Sequence, residues 1–109
     1  MIEHTQIKKL CNQIVQQFRP DQVILFGSYG YGQPTEESDV DLLVVLSFEG
    51  KNARKSWEIL RQTNPSFPVD LLIRTPKQIQ ERLNLNDGFM REIIEKGQVL
   101  YEADHSRMD

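Results

Sequence analysis

Two aspartates, Asp39 and Asp41, stand one residue apart at the head of an apolar run, and a third, Asp70, heads another in the stretch PVDLLI. In an extended strand alternate side chains share a face, so Asp39 and Asp41 point to one side and Val40 to the other. Neighbouring carboxylates repel each other, and burying them is unfavourable unless something positive sits between them. A hard divalent cation meets that need, because magnesium takes carboxylate oxygens and fills its remaining positions with waters or substrate phosphates. If the strands carrying Asp41 and Asp70 are neighbours, three carboxylates surround one spot. Such a set suits a two-metal centre, which activates an attacking hydroxyl and stabilises the leaving oxygen of a phosphoryl displacement. For any one of these aspartates a turn cap or a solvated strand end is the ordinary role; the three together, behind a glycine loop, favour the metal site. A calcium loop fits poorly. In DVDLLVVLSFEG, Leu43 stands where a third oxygen ligand belongs, and the sixth position is not glycine.

The aspartates are preceded by LFGSYGYGQPTEES, in which Gly27-Ser28 directly follows a short apolar run. Glycine lets the backbone approach a ligand closely. A short helix starting at Ser28 would turn free N–H groups toward a phosphate, and the serine hydroxyl adds a donor. The loop lacks the Gly-Lys-Ser/Thr ending of a Walker loop, and its glycines are wrongly spaced for the dinucleotide fingerprint. By itself a glycine-rich loop is most often a turn.

The surrounding pattern supplies the elements that must position these groups. Ile7, Leu10, Cys11, Ile14, Val15 and Phe18 recur at helical spacing over 4–18, with Thr5 as N-cap and Pro20 as the stop. QVILF (22–26) reads as a strand. DVDLLVVLSF (39–48) reads as a second, and its unbroken apolar run from Leu42 to Leu46 fits a strand covered on both faces. Residues 51–63 form a helix with Ala53, Trp57 and Leu60 on its inner face, and 67–74 a third strand. Thr75-Pro76 starts a helix carrying Ile79 and Leu83. Asn86 or Asp87 caps a further helix, with Phe89, Ile93 and Ile94 inward and Lys96-Gly97 as its end. Residues 98–102 form a short edge strand. Residues 1–103 therefore make one domain, and 104–109 a disordered tail. The fold class is α/β (α+β), a mixed sheet of about four strands flanked by helices.

The net charge of −3 and pI near 5.4 argue against direct nucleic-acid binding. A lone cysteine, Cys11, permits no internal disulfide, fits a reducing compartment, and belongs to the core by its place on an apolar stripe. No apolar run approaches the roughly 20 residues that span a bilayer, and the first residues lack the apolar core of a signal peptide. The expectation is a soluble cytoplasmic protein without a membrane partner. His4 and His105 are isolated and are not metal ligands. Arg54, Lys55, Arg74 and Lys77 read as solvated charges before they read as phosphate ligands. Tyr29 and Tyr31 are either loop residues over the core or stacking partners for a base or a partner protein.

Phe26, Gly27 and Ser28, the ten-residue loop Tyr29 to Ser38, and then Asp39-Val40-Asp41 resemble the signature of the polymerase-beta-like nucleotidyltransferases, with Asp70 as the third carboxylate. Within that superfamily the chain looks like the minimal nucleotidyltransferases that serve as antitoxins, over residues 5–101. The resemblance implies the polymerase-beta-like fold and transfer of AMP from ATP to a tyrosine of a HEPN-domain toxin, which silences it. It implies that Gly27 and Ser28 hold the triphosphate, that Asp39 and Asp41 bind magnesium, with two ions expected, and that Asp70 helps bind metal and activates the tyrosine hydroxyl. One position departs from the pattern. Many relatives read Gly-Ser-x-Ala-Arg-Gly, and Tyr31 stands here in place of the arginine. Almost nothing lies outside the catalytic core, so the acceptor must be supplied by a partner or held on a shallow surface. Two other functions stay open at this point: an antitoxin that neutralises by binding alone, and a nucleotidyltransferase acting on a small molecule such as an aminoglycoside.

Overall fold

β-Branched and apolar residues build four strands: β1 (Gln22–Phe26), β2 (Val40–Val45), β3 (Val69–Arg74) and β4 (Gln98–Glu102). Among the described residues five helices accompany them: α1 (His4–Phe18) before β1, and α2 (Gly27–Tyr31), α3 (Asn52–Thr63), α4 (Pro76–Asn84) and α5 (Gly88–Lys96) between the strands. The computed structural model describes residues 1–104; the expected tail, His105 included, lies outside the described residues apart from Asp104. The sheet order is β3-β2-β1-β4, with β1 antiparallel to both β2 and β4 and β2 parallel to β3. It is the expected mixed four-stranded sheet. Among the described residues no helix is long and apolar enough to cross a membrane.

The sheet separates two apolar layers. Val23, Leu25, Val40, Leu42, Val44, Leu71 and Ile73 pack against α1 and α3. Ile24, Phe26, Leu43 and Val45 face α4 and α5 through Ile79, Met90 and Ile93. This two-sided cover is why β2 is apolar at consecutive positions. Burying one such Leu or Ile stabilises the fold by about 1.5–3 kcal/mol, so the β2 run anchors the whole molecule. Cys11 lies in the first layer, 1% exposed, and burial pushes its thiol up from the ordinary range.

Several local expectations needed correction. The N-cap of α1 is Glu3 rather than Thr5, and the Glu3 N–H donates to Gln6 Oε1 at 2.9 Å. β2 begins at Val40 and ends at Val45, shorter than the expected 39–48 at both ends, although the Leu46 N–H still donates to the Arg74 carbonyl at 3.0 Å. The inner face of α3 is Ile59 and Thr63, with Leu60 half-buried, while Ala53 and Trp57 are exposed and the Arg61 guanidinium lies 5.1 Å over the indole. The face was masked in the sequence because it carries hydroxyls. Ser56 Oγ donates to the Leu71 carbonyl at 2.9 Å, and Thr63 Oγ1 to the Ile59 carbonyl at 2.7 Å, so both are satisfied under cover.

The last third of the chain turns on two caps. Thr75 Oγ1 accepts from the Gln78 N–H at 3.1 Å with Pro76 at the first helical position of α4, as expected. Asn86 takes the left-handed conformation, φ 61°, and Asp87 is the cap of α5. In α5 it is Met90 and Ile93 that face inward; Phe89 and Ile94 stay exposed. Gly97 ends α5 without a left-handed turn (φ −63°), and its reason is space. A Cβ there would come within 2.5 Å of both Ile24 Cγ2 and the Ile93 carbonyl, where β4 begins.

Candidate active site

Phe26, the last residue of β1, pairs with Asp41 of β2, and Asp41 is in register with Asp70 of β3. Strands lie about 4.8 Å apart, so these residues form a row across three strands at one end of the sheet. Alternation fixes their face: Phe26 itself packs in the α4/α5 layer, and Asp41 and Asp70 stand two residues before Leu43 and Leu72 of that layer. Asp39 lies just ahead of β2 rather than within it. Asp39 and Asp70 are exposed, and Asp41 is half-buried.

Asp41 is the electrostatic centre of the row. Its carboxyl is pushed above the usual carboxylate range by burial first, then by the charge of Asp70, then by that of Asp39. Among the described residues no three carboxylate, thiol or imidazole groups close into a preformed cage around an ion. The donor set nevertheless suits magnesium. It is all carboxylate oxygen, and the exposure of Asp39 and Asp70 leaves room for the waters and phosphates that magnesium keeps. Asp39, Asp41 and Asp70 are the residues that could hold it.

The turn beside this row is shaped to touch it. Gly27 has φ 67°, and a Cβ there would collide with Oδ2 of Asp41. Glycine is therefore required twice, for the dihedral and for the close approach of the carboxylate. α2 begins at Gly27, one residue earlier than expected, and is a single turn long, with Ser28 half-buried at its start. Tyr31 closes that turn. Its phenol is pushed up by burial and by the charge of Glu92, and Asp41 adds to the shift, while a hydrogen bond from the Gly27 amide works the other way. The residue standing in place of the arginine thus reaches back to the glycine that abuts Asp41.

Tyr29 behaves otherwise. Its hydroxyl accepts from the Ile2 N–H at 3.2 Å, and its ring packs on the α1/α3 layer, so it is a structural residue. Of the four cations considered, none flanks the acidic row. Arg74 is at the opposite end of β3 from Asp70 and donates to the Ile73 carbonyl at 2.7 Å. Lys77 follows it at the start of α4. Lys55 pairs with Glu58 at 3.2 Å and lies 5.7 Å from the Phe48 ring, in the first turns of α3, which follow the far end of β2. Arg54 is its neighbour. Beside the row, the residue the sequence misplaced is Phe89. It was expected inside, yet it stands exposed with its ring centroid 5.8 Å from that of Phe26 at an interplanar angle of 79°. Its position two residues after the Asp87 cap was the available signal, since the first turn of a helix is seldom covered on all sides.

Residues 6–106 match the family Polymerase beta, Nucleotidyltransferase. A protein of Methanocaldococcus jannaschii, the "Putative protein adenylyltransferase MJ0604", is 33% identical over 107 residues, covering 93% of this chain and 100% of the relative. Among solved structures, a "putative nucleotidyltransferase" of Sulfolobus solfataricus superposes with a TM-score of 0.61 at 16% identity, over 90% of this chain and 78% of that one. A chain of the toxin–antitoxin MntA-HpeT superposes with a TM-score of 0.57 at 19% identity, over 98% and 79%. These two likenesses concern the fold, and they agree with the mixed sheet and its helices. The family match runs through the glycine turn, the acidic row and both layers, and the chain accordingly belongs to the polymerase beta nucleotidyltransferase family and is a nucleotidyltransferase.

Proposed function

We propose that this nucleotidyltransferase transfers AMP from ATP to a tyrosine hydroxyl of a partner toxin of the HEPN class and thereby silences it. The observation that carries the reading is the register that sets Asp41 beside Asp70 with Gly27 against Asp41. Support for the acceptor class comes from the name of the M. jannaschii relative, and support for a toxin partner and an ATP-like nucleotide from a solved toxin–antitoxin complex with AMP-PNP, 19% identical with a TM-score of 0.56.

The strand order supports a division of roles. Gly27 and Ser28, on the β1 side of Asp41, donate backbone N–H groups and a hydroxyl to the triphosphate. Asp70, on the β3 side, orients the incoming phenol and accepts its proton. The phenol oxygen forms a bond to the α-phosphorus while the bond from that phosphorus to the bridging oxygen breaks, and pyrophosphate leaves toward Gly27. Nucleophile and leaving group thus lie on opposite sides of Asp41, as in-line displacement requires. Magnesium held by Asp39, Asp41 and Asp70 would neutralise the charge that develops on the phosphate oxygens.

Incubation with labelled ATP, magnesium and the folded partner is expected to label the partner, and intact mass should rise by one or more AMP units. An unlabelled partner, with wild-type enzyme and folding verified, overturns the reading. Asp39→Asn with Asp41→Asn should cut labelling roughly 100-fold or more, the factor that several kcal/mol of lost charge stabilisation implies. A second reading, neutralisation by binding alone, is favoured by one observation: Tyr31 stands where many relatives carry an arginine. Cells protected at full strength by the double variant would favour it.

A further inference from the structure

We propose that Phe89 is the platform on which the base of the incoming nucleoside triphosphate stacks. The inference rests on the roles given above to Gly27, Ser28 and Asp70. The row Phe26–Asp41–Asp70 has a polarity: the acceptor belongs over β3, and the triphosphate over the turn that follows β1. Phe89 meets this row at its β1 end, against Phe26, the residue immediately before Gly27. It therefore flanks the nucleotide rather than the acceptor.

Phe89 is 55% exposed although its ring touches a core aromatic, so much of its apolar surface has no partner among the described residues. A single exposed apolar residue is unremarkable by itself. Here the exposed ring packs on Phe26, the register partner of Asp41, and it is held in place before any ligand arrives. Asp87 Oδ1 accepts from the Phe89 and Met90 N–H groups at 3.0 and 3.2 Å, Arg82 Nε donates to Asp87 Oδ2 at 2.8 Å, and Phe26 braces the ring edge-on. A braced aromatic loses little freedom on binding, which favours stacking with a base. Every base offers a π face, so such a platform supplies affinity for a nucleoside without strict choice among bases.

The test is calorimetric titration of the full chain with ATP and, separately, with inorganic tripolyphosphate, both with magnesium. Phe89→Ala is expected to weaken ATP about tenfold while tripolyphosphate is unaffected, and Phe89→Tyr to keep wild-type affinity for both. In the labelling assay Phe89→Ala should raise KM with kcat little changed. Phe89→Trp adds a gained signal: its fluorescence should respond to ATP and not to tripolyphosphate, with wild type, whose Trp57 lies on α3, as the control. Wild-type ATP affinity in Phe89→Ala, or equal loss of ATP and tripolyphosphate, overturns the platform. Wild type that binds neither ligand overturns the nucleotide reading of Gly27 and Ser28, and the platform with it.

Discussion

Asp41 carries opposing demands in a single carboxylate. Its folded-state pKa is raised by burial, Asp70 and Asp39, so the folded chain holds the proton more tightly than the unfolded chain does. The stability this group contributes is fully present below the ordinary carboxylate value and is lost as pH rises through the raised folded value. Asp41→Asn should therefore raise the melting temperature of the metal-free protein at pH 7, and the advantage over wild type should vanish on acidification below the ordinary carboxylate range. Magnesium should raise the melting temperature of wild type and do much less for the variant. Equal melting of the two proteins at pH 7 would mean that the carboxylates do not repel. At this scale the sequence was informative, because residue type and spacing already placed Asp39, Asp41, Gly27 and Ser28 in one stretch. Which charges bear on Tyr31 was not legible, since Glu92 comes from α5.

The elements were legible where a single periodicity or a cap decided them. β1 and the span of α1 follow from spacing, and the Thr75-Pro76 start of α4 from capping chemistry. The inner face of α3 was not, because Ser56 and Thr63 look polar until the carbonyls that receive them are known. Gly97, with Lys96, was read as a helix end, and the structure adds a reason for the glycine, close contact with Ile24 and Ile93. Gly97→Ala is accordingly expected to destabilise by about 1–3 kcal/mol, as overpacking does, even though alanine favours helices. Denaturant unfolding measures it. A neutral or stabilising result would show that β4 can move away from α5 freely.

For the whole molecule, the two apolar layers hold the sheet whose end carries the row. Ile59→Ala, at a fully buried residue on the inner face of α3, should cost about 2–5 kcal/mol. Trp57→Ala, at a residue 61% exposed, should change stability by less than about 1 kcal/mol. Equal losses in the two variants would return Trp57 to the core where its spacing first suggested it. With 61% of its surface outside the fold, Trp57 has no role in positioning the acidic row, and its replacement should leave AMP transfer unchanged.

The sequence by itself determined the chemistry: a glycine-serine turn, paired aspartates and a third carboxylate, each at the edge of an apolar run, are local facts of residue type and spacing. Only the tertiary structure decided that Asp70 lies beside Asp41 and that Phe89 meets Phe26 at the β1 end of the row. Strand register and helix docking are long-range properties, set by which apolar faces pack together. No local pattern around Asp70 or Phe89 encodes its distant neighbour.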